Sequence, residues 1–353
     1  MRIDGGDYTR RQLAERTGDL AAVGGVRAVT LDDGVERGIR ALEFRTGGGL
    51  RFEVLVDRAM DIGVAEFDDR SVGWRSPTGF RHPGLHEYHD ENGLSWLRSM
   101  SGLVVTGGLD HTLFGGTVDA SDYRYPPKEG AWHALHGRVA NIPARLTGYG
   151  ERWDGDTCVL WAEGEVRQAA VFGEHLVLRR RVEADLGGTE IRLHDTVLNA
   201  GFERTPHMFL YHVNVGWPLL DEGARVATGA VRTVWESDSV REQGQGHEVM
   251  PAPLPGFVEQ VYEHELRAGD DGRHRVRVTN GRIARGLELD FDPAQFPHFF
   301  QWLNLRSGDY ALGLEPSTHA VGGDAAARAD GTMTWLEHGE ERRYDTVFRF
   351  LRT

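Results

Sequence analysis

Along much of the chain, apolar and polar residues alternate one for one. In "GLRFEVLV", Leu50, Phe52, Val54 and Val56 are apolar while Arg51 and Glu53 lie between them. In "GLELDFDP", Leu287, Leu289 and Phe291 alternate with Glu288, Asp290 and Asp292. "HLVLRRRVEADLGGTEIRLHDTVLNAG" reads as two strands joined by a tight turn at Gly187-Gly188, and the closing "RRYDTVFRFLRT" alternates again. A two-residue period turns one face of each strand inward and the other outward, the signature of antiparallel sheets. Helical signals are few: "TRRQLAERTGDL" predicts a short helix and "GLSWLRSM" a further turn or two. There is no regular strand–helix alternation and no glycine-rich phosphate fingerprint after a strand. The pattern predicts one all-β domain over residues 1–353, a large antiparallel β-sandwich of two sheets, with a short N-terminal helical extension over about 1–25.

Two segments interrupt the alternation with loop residues, Arg75 to Asn92 and Thr106 to Gly137. Both are long, aromatic and histidine-bearing, which suits the walls of a binding site. The segment "TPHMFLYHVNVGWPLLDEG" is more telling. As a strand over 208–215, it would send Phe209, Tyr211, Val213 and Val215 to one face and Met208, Leu210, His212 and Asn214 to the other. His212 and Asn214 then become polar neighbours, with Trp217 in the loop beyond them. This is either an acid/base site beside a sugar-stacking ring or a histidine satisfied inside a wide sheet.

"YALGLEPSTHAVGG" poses a similar choice, because Glu315 arrives at the end of an apolar strand and Pro316 restricts the chain after it. It is either a general base at a pocket rim or an acid facing water. In "HALHGRVANIPA", Gly137 permits close backbone approach and Arg138 could bind vicinal hydroxyls or an anion, against the alternative of a polar turn. Arg58 and Asp61 in "VDRAMDIG" either pair with each other at the surface or face a polyol. Trp132, Trp217 and Trp302 are candidate stacking rings, although "FFQWLNL" favours a core position for Trp302.

Composition narrows the field. With 353 residues, 40% hydrophobic and 27% charged, the chain has the balance of a soluble globular protein. A formal net charge of −14 argues against a general affinity for nucleic acid or anionic membrane and leaves a small sugar open. The lone Cys158, in the apolar run "CVLWA", reads as core rather than nucleophile and suits a reducing compartment. No stretch has the length of a signal peptide or membrane span, so the expected location is the cytoplasm, as monomer or homodimer. His82, His86 and His89 have the spacing of a zinc-binding helix, but Pro83 and Gly84 would break it, and no metal site is assigned.

Three of these segments fall into a known order. "ALHGRVAN" looks like the "LHGG" segment of the galactose mutarotase-like superfamily, the aldose 1-epimerases; "LYHVNVG" resembles its "NH-x-YFN" segment, and "LGLEPSTHA" its "LEPQ" strand. The closing "LEHGEERRYDTVFRF" is similar to its terminal turn and last strand. Arg138 stands where the family has a second glycine, and Val213-Asn214-Val215 replace Tyr-Phe-Asn, which marks a divergent branch. The resemblance implies the superfamily's supersandwich fold and interconversion of α and β sugar anomers without a cofactor. It makes His136 a substrate ligand, His212 a general acid that starts cationic, and Glu315 the base on the opposite side of the sugar. Arg58 would be a further sugar ligand. Arg58, Arg138, Arg204 and Arg306 leave room for an anionic substituent on the substrate. The rival functions are a sugar-binding module without chemistry and a metal-assisted isomerase or lyase.

Overall fold

The computed structural model describes residues 1–3, 5–120 and 129–353. The middle of the second loop segment, 121–128, lies outside them. Strands dominate, and all their pairings are antiparallel. An eight-stranded sheet runs in the order Arg145–Asp154, Thr157–Ala169, His175–Asp185, Glu190–Asn199, Glu341–Arg352, Arg285–Phe291, His274–Asn280 and Arg225–Ala227. A six-stranded sheet runs Ala230–Glu236, Gln260–Leu266, His298–Asn304, Ala311–Ser317, Met208–Val215 and Val104–Leu109. A five-stranded sheet is built from Gly25–Thr30 through Arg70–Ser71.

The alternation sets these layers. In Thr157–Ala169, Cys158, Leu160, Ala162 and Val166 are buried, while the intervening side chains are more open. Leu160, Leu178, Leu193, Leu289 and Phe348 of the large sheet share one apolar core with Phe209, Tyr211, Val213 and Val215 of the six-stranded sheet. That core runs from Ile3 to Phe350. The hairpin at Gly187-Gly188 forms as predicted, and Gly187 takes φ +83°, a conformation costly for a side-chain-bearing residue. Burial also pushes the Cys158 thiol up to about 11, which suits a core residue.

The predicted N-terminal helix is Arg10–Ala14, opened by a capping box in which Thr9 and Gln12 bond reciprocally. "GLSWLRSM" holds a single 3-10 turn, Ser95–Arg98. The helices Asp238–Gln243 and Gly323–Asp330 were not anticipated. Among the described residues, no helix is long and apolar enough to cross a membrane.

The strand Met208–Val215 is buried along its whole length. Its Tyr211 face joins the main core, where a charged network fixes it. Arg180 donates to Asp195 through Nε and Nη2 at 2.9 and 2.6 Å, and to Asp61 at 2.7 Å. Tyr211 Oη donates to Asp195 at 2.6 Å, and Arg180 also reaches Thr106 Oγ1 at 2.9 Å. Asp61 therefore pairs with Arg180 rather than with Arg58, and both Asp61 and Arg58 are buried, not at the surface.

Candidate active site

The opposite face of the same strand carries His212. Its neighbour Ala311–Ser317 runs antiparallel with Val213 opposite Leu314, which brings His212 and Glu315 onto one face as cross-strand partners. His212 Nε2 lies 3.2 Å from Glu315 Oε1, and both side chains are about 95% buried (4% and 5% exposed). They sit in a cavity of about 360 Å³ that is also lined by Trp96, His136, Trp302 and Glu259. Trp96 and Trp302 flank the His212 ring, each 5.4 Å from it between centroids.

Room for the pair depends on Gly313. A Cβ there would lie 2.9 Å from both Glu315 Oε1 and His212 Cε1 and 3.0 Å from Trp302 Cβ. No rotation of the substituted residue relieves such contacts, so a side chain at 313 would displace the pair. Period two already places residue 313 on the Glu315 face, so "LGLEP" carried this signal unread.

Burial sets the charge state. It pushes the Glu315 carboxyl up to about 8, with Glu259 adding to the shift, and pushes the His212 imidazole down to about 3 against a small opposing effect of Asn214. The unliganded pair is therefore neutral, holding one proton on the carboxyl. This differs from the expectation of a cationic histidine, because removing the imidazolium from water outweighs its attraction to the carboxylate. The two groups also stand side by side rather than on opposite sides of a sugar. His212 Nδ1 and Asn214 Oδ1 are buried without a partner.

His136 completes the floor. Its ring is 4.7 Å from Trp96 and edge-on to His212 at 5.7 Å. Burial, His212 and His111 hold it well below the usual imidazole range. The Leu113 amide donates to Nδ1 at 3.3 Å, which leaves Nε2–H as the ring's donor. The residue takes φ +54°, a strained conformation held by bonds from His136 N to Leu113 O and from Gly108 N to His136 O.

The other expected ligands lie elsewhere. The Arg58 guanidinium donates to the carbonyls of Ala140, Arg81 and Ser99 at 2.8, 3.1 and 2.7 Å. It ties loops together and does not line the cavity. Burial lowers it to about 10, partly offset by Asp61. Arg138 stacks over Tyr88 at 4.4 Å and approaches Glu174 at 3.8 Å, and it too is outside the lining. Asn214 Nδ2 donates to Gly102 O and His212 O, so it braces the strand beneath the site. Trp217 is 68% exposed and away from the cavity. Trp302, read from sequence as core, does belong to a small buried cluster but also lines the cavity, donating from Nε1 to Glu259 at 2.8 Å. Trp96 and Glu259 escaped the sequence reading, because no local pattern ties their segments to the strands of His212 and Glu315.

Several histidines of the two loops have other partners. His82 Nδ1 accepts from Gly84 N, and His89 packs against Tyr88 and Trp132. Among the described residues, no three His, Cys, Asp or Glu side chains converge to hold an ion.

This architecture is that of the galactose mutarotase-like β-sandwiches. A provisionally named aldose 1-epimerase of Klebsiella pneumoniae superposes with a TM-score of 0.83 at 23% identity, covering 99% of this chain and 88% of that one. A galactose mutarotase-like protein of Clostridium acetobutylicum gives 0.61 at 10% identity over 93% of this chain and 98% of its own. Galactose 1-epimerase of Lactobacillus acidophilus gives 0.55 at 12% identity over 92% and 98%. At these identities the likeness establishes the fold. No curated protein matches the sequence. The chain belongs to the family described as domain of unknown function DUF4432, whose sequence model matches residues 36–350.

Proposed function

We propose that the protein is an aldose 1-epimerase in which Glu315 and His212 share one working proton. The observation that carries this reading is the 3.2 Å contact between two buried titratable groups at the floor of a sugar-sized cavity. O1 and the ring oxygen of an aldose are bonded to the same carbon, so two groups side by side can reach both. The Glu315 carboxyl gives its proton to the ring oxygen while His212 takes the O1 proton. The bond from C1 to the ring oxygen breaks and yields the open-chain aldehyde. After rotation about C1–C2, the ring hydroxyl attacks the other face of C1, returns its proton to Glu315, and O1 regains the proton from His212. Atoms and charges balance, and the neutral pair is restored. His136 Nε2–H would bind a substrate oxygen, and Trp96 and Trp302 would offer ring faces to the sugar's C–H surface.

Each of the two groups would contribute about two to four orders of magnitude in rate. Saturation transfer between the anomeric protons of a sugar panel measures the exchange directly. Glu315→Gln and His212→Ala are each expected to lose about 100- to 10,000-fold with the fold intact by circular dichroism. Undiminished exchange in either variant sinks the assignment, and sugar binding without acceleration by the native protein would point to a binding module.

A further inference from the structure

The cavity's chemistry narrows the substrate further. Asp238, Glu259 and Glu315 are its acidic lining residues, and among the described residues no arginine or lysine lines it. Of the four arginines that could have held an anion, Arg58 is engaged with backbone carbonyls, Arg138 lies over Tyr88 and Arg204 over Trp335 at 4.1 Å, while Arg306 is exposed and outside the lining. An anionic substituent would meet the exposed Asp238 and Glu259 and the protonated Glu315, with no cationic side chain among the described lining residues to pair with it.

Ser237 and Ser239 are hydrogen-bonded to each other at 2.8 Å and stand beside Asp238 and Glu259. The lining also includes Leu94, Leu97 and Phe114, which are 48%, 48% and 65% exposed and so present large apolar side chains to water. A methyl or methylene set against these side chains removes apolar surface from water on both partners, whereas a hydroxyl there gains no partner from the protein and removes less apolar surface.

Resting on the mutarotase reading, we infer that the substrate is a neutral deoxy sugar whose unhydroxylated carbon lies against Leu94, Leu97 and Phe114. Matched pairs test this: galactose, glucose and mannose against their 6-deoxy counterparts in the D and L series, with galacturonate as the anion. Exchange is read by saturation transfer and binding by the fluorescence of the cavity tryptophans. At least one deoxy sugar is expected to exceed its parent about tenfold or more in kcat/KM, with galacturonate unaccelerated. Leu97→Asn, at a half-exposed position, should bring that ratio toward one. Parity within every pair, or acceleration of galacturonate, overturns the inference and leaves the epimerase standing. Tighter binding of a deoxy sugar without any exchange supports the sugar class and sinks the activity. Absence of both binding and exchange across the panel overturns the two together.

Discussion

Tyr211 and His212 are consecutive residues of one buried strand, yet they face opposite electrostatic worlds. On the Tyr211 side, Arg180, Asp61, Asp195 and Thr106 close a network in which each charged group has partners. Burial alone would lower the Arg180 guanidinium, but Asp195 and Asp61 outweigh it and the net direction is upward. On the His212 side, the histidine meets one carboxyl group, and its Nδ1 and the Asn214 Oδ1 lack partners. There burial wins, and both groups of the pair become neutral. Charge that is fully paired holds the fold; titratable groups that are buried and incompletely partnered are left free to exchange protons.

The contrast can be broken first on the structural side. Arg180→Ala leaves Asp61 and Asp195 buried without their cation, and should cost about 3–5 kcal/mol in denaturant unfolding. A loss under about 1 kcal/mol would mean that the network does not support the strand.

Glu315→Gln should behave in the opposite way. Between the unfolded carboxyl value of 4.5 and the folded value of about 8, the native protein must keep a proton that the unfolded chain has released. Native stability therefore falls with pH across that window, relative to a variant with no proton to hold. The Tm advantage of Glu315→Gln over the native protein is expected to widen from pH 5 to pH 8 and then level off. A constant difference would show that the carboxyl is not raised.

The pH profile of exchange sharpens the same point more modestly. The one-proton pair persists from about 3 to about 8, so turnover should hold through neutral pH and fall above about 8 as Glu315 loses its proton. A fall already complete below pH 6 would instead indicate a pair that works with a cationic histidine. The smallest effect is expected at Trp217, whose exposed ring lies away from the cavity. Trp217→Ala should change kcat/KM less than about twofold, and a loss of about tenfold or more would return the residue to the site.

The sequence by itself determined the antiparallel layers, because period two is a local property that each strand carries along its own length. It also singled out His212, Glu315 and His136, the first by its place on the polar face of a buried strand and all three through motif resemblance. Gly313 was within reach of the same alternation. Cross-strand register was not, and register is what sets His212 beside Glu315 rather than across a sugar from it. Only the tertiary structure decided where the arginines went. A guanidinium in a loop-rich segment reads the same whether it meets substrate or three backbone carbonyls, and Arg58 meets carbonyls. Trp96, Glu259 and the apolar lining come from segments far apart in the chain, joined by packing alone. The protonation of the pair followed from the same cause: desolvation depends on everything packed around a group, and no stretch of sequence contains that information.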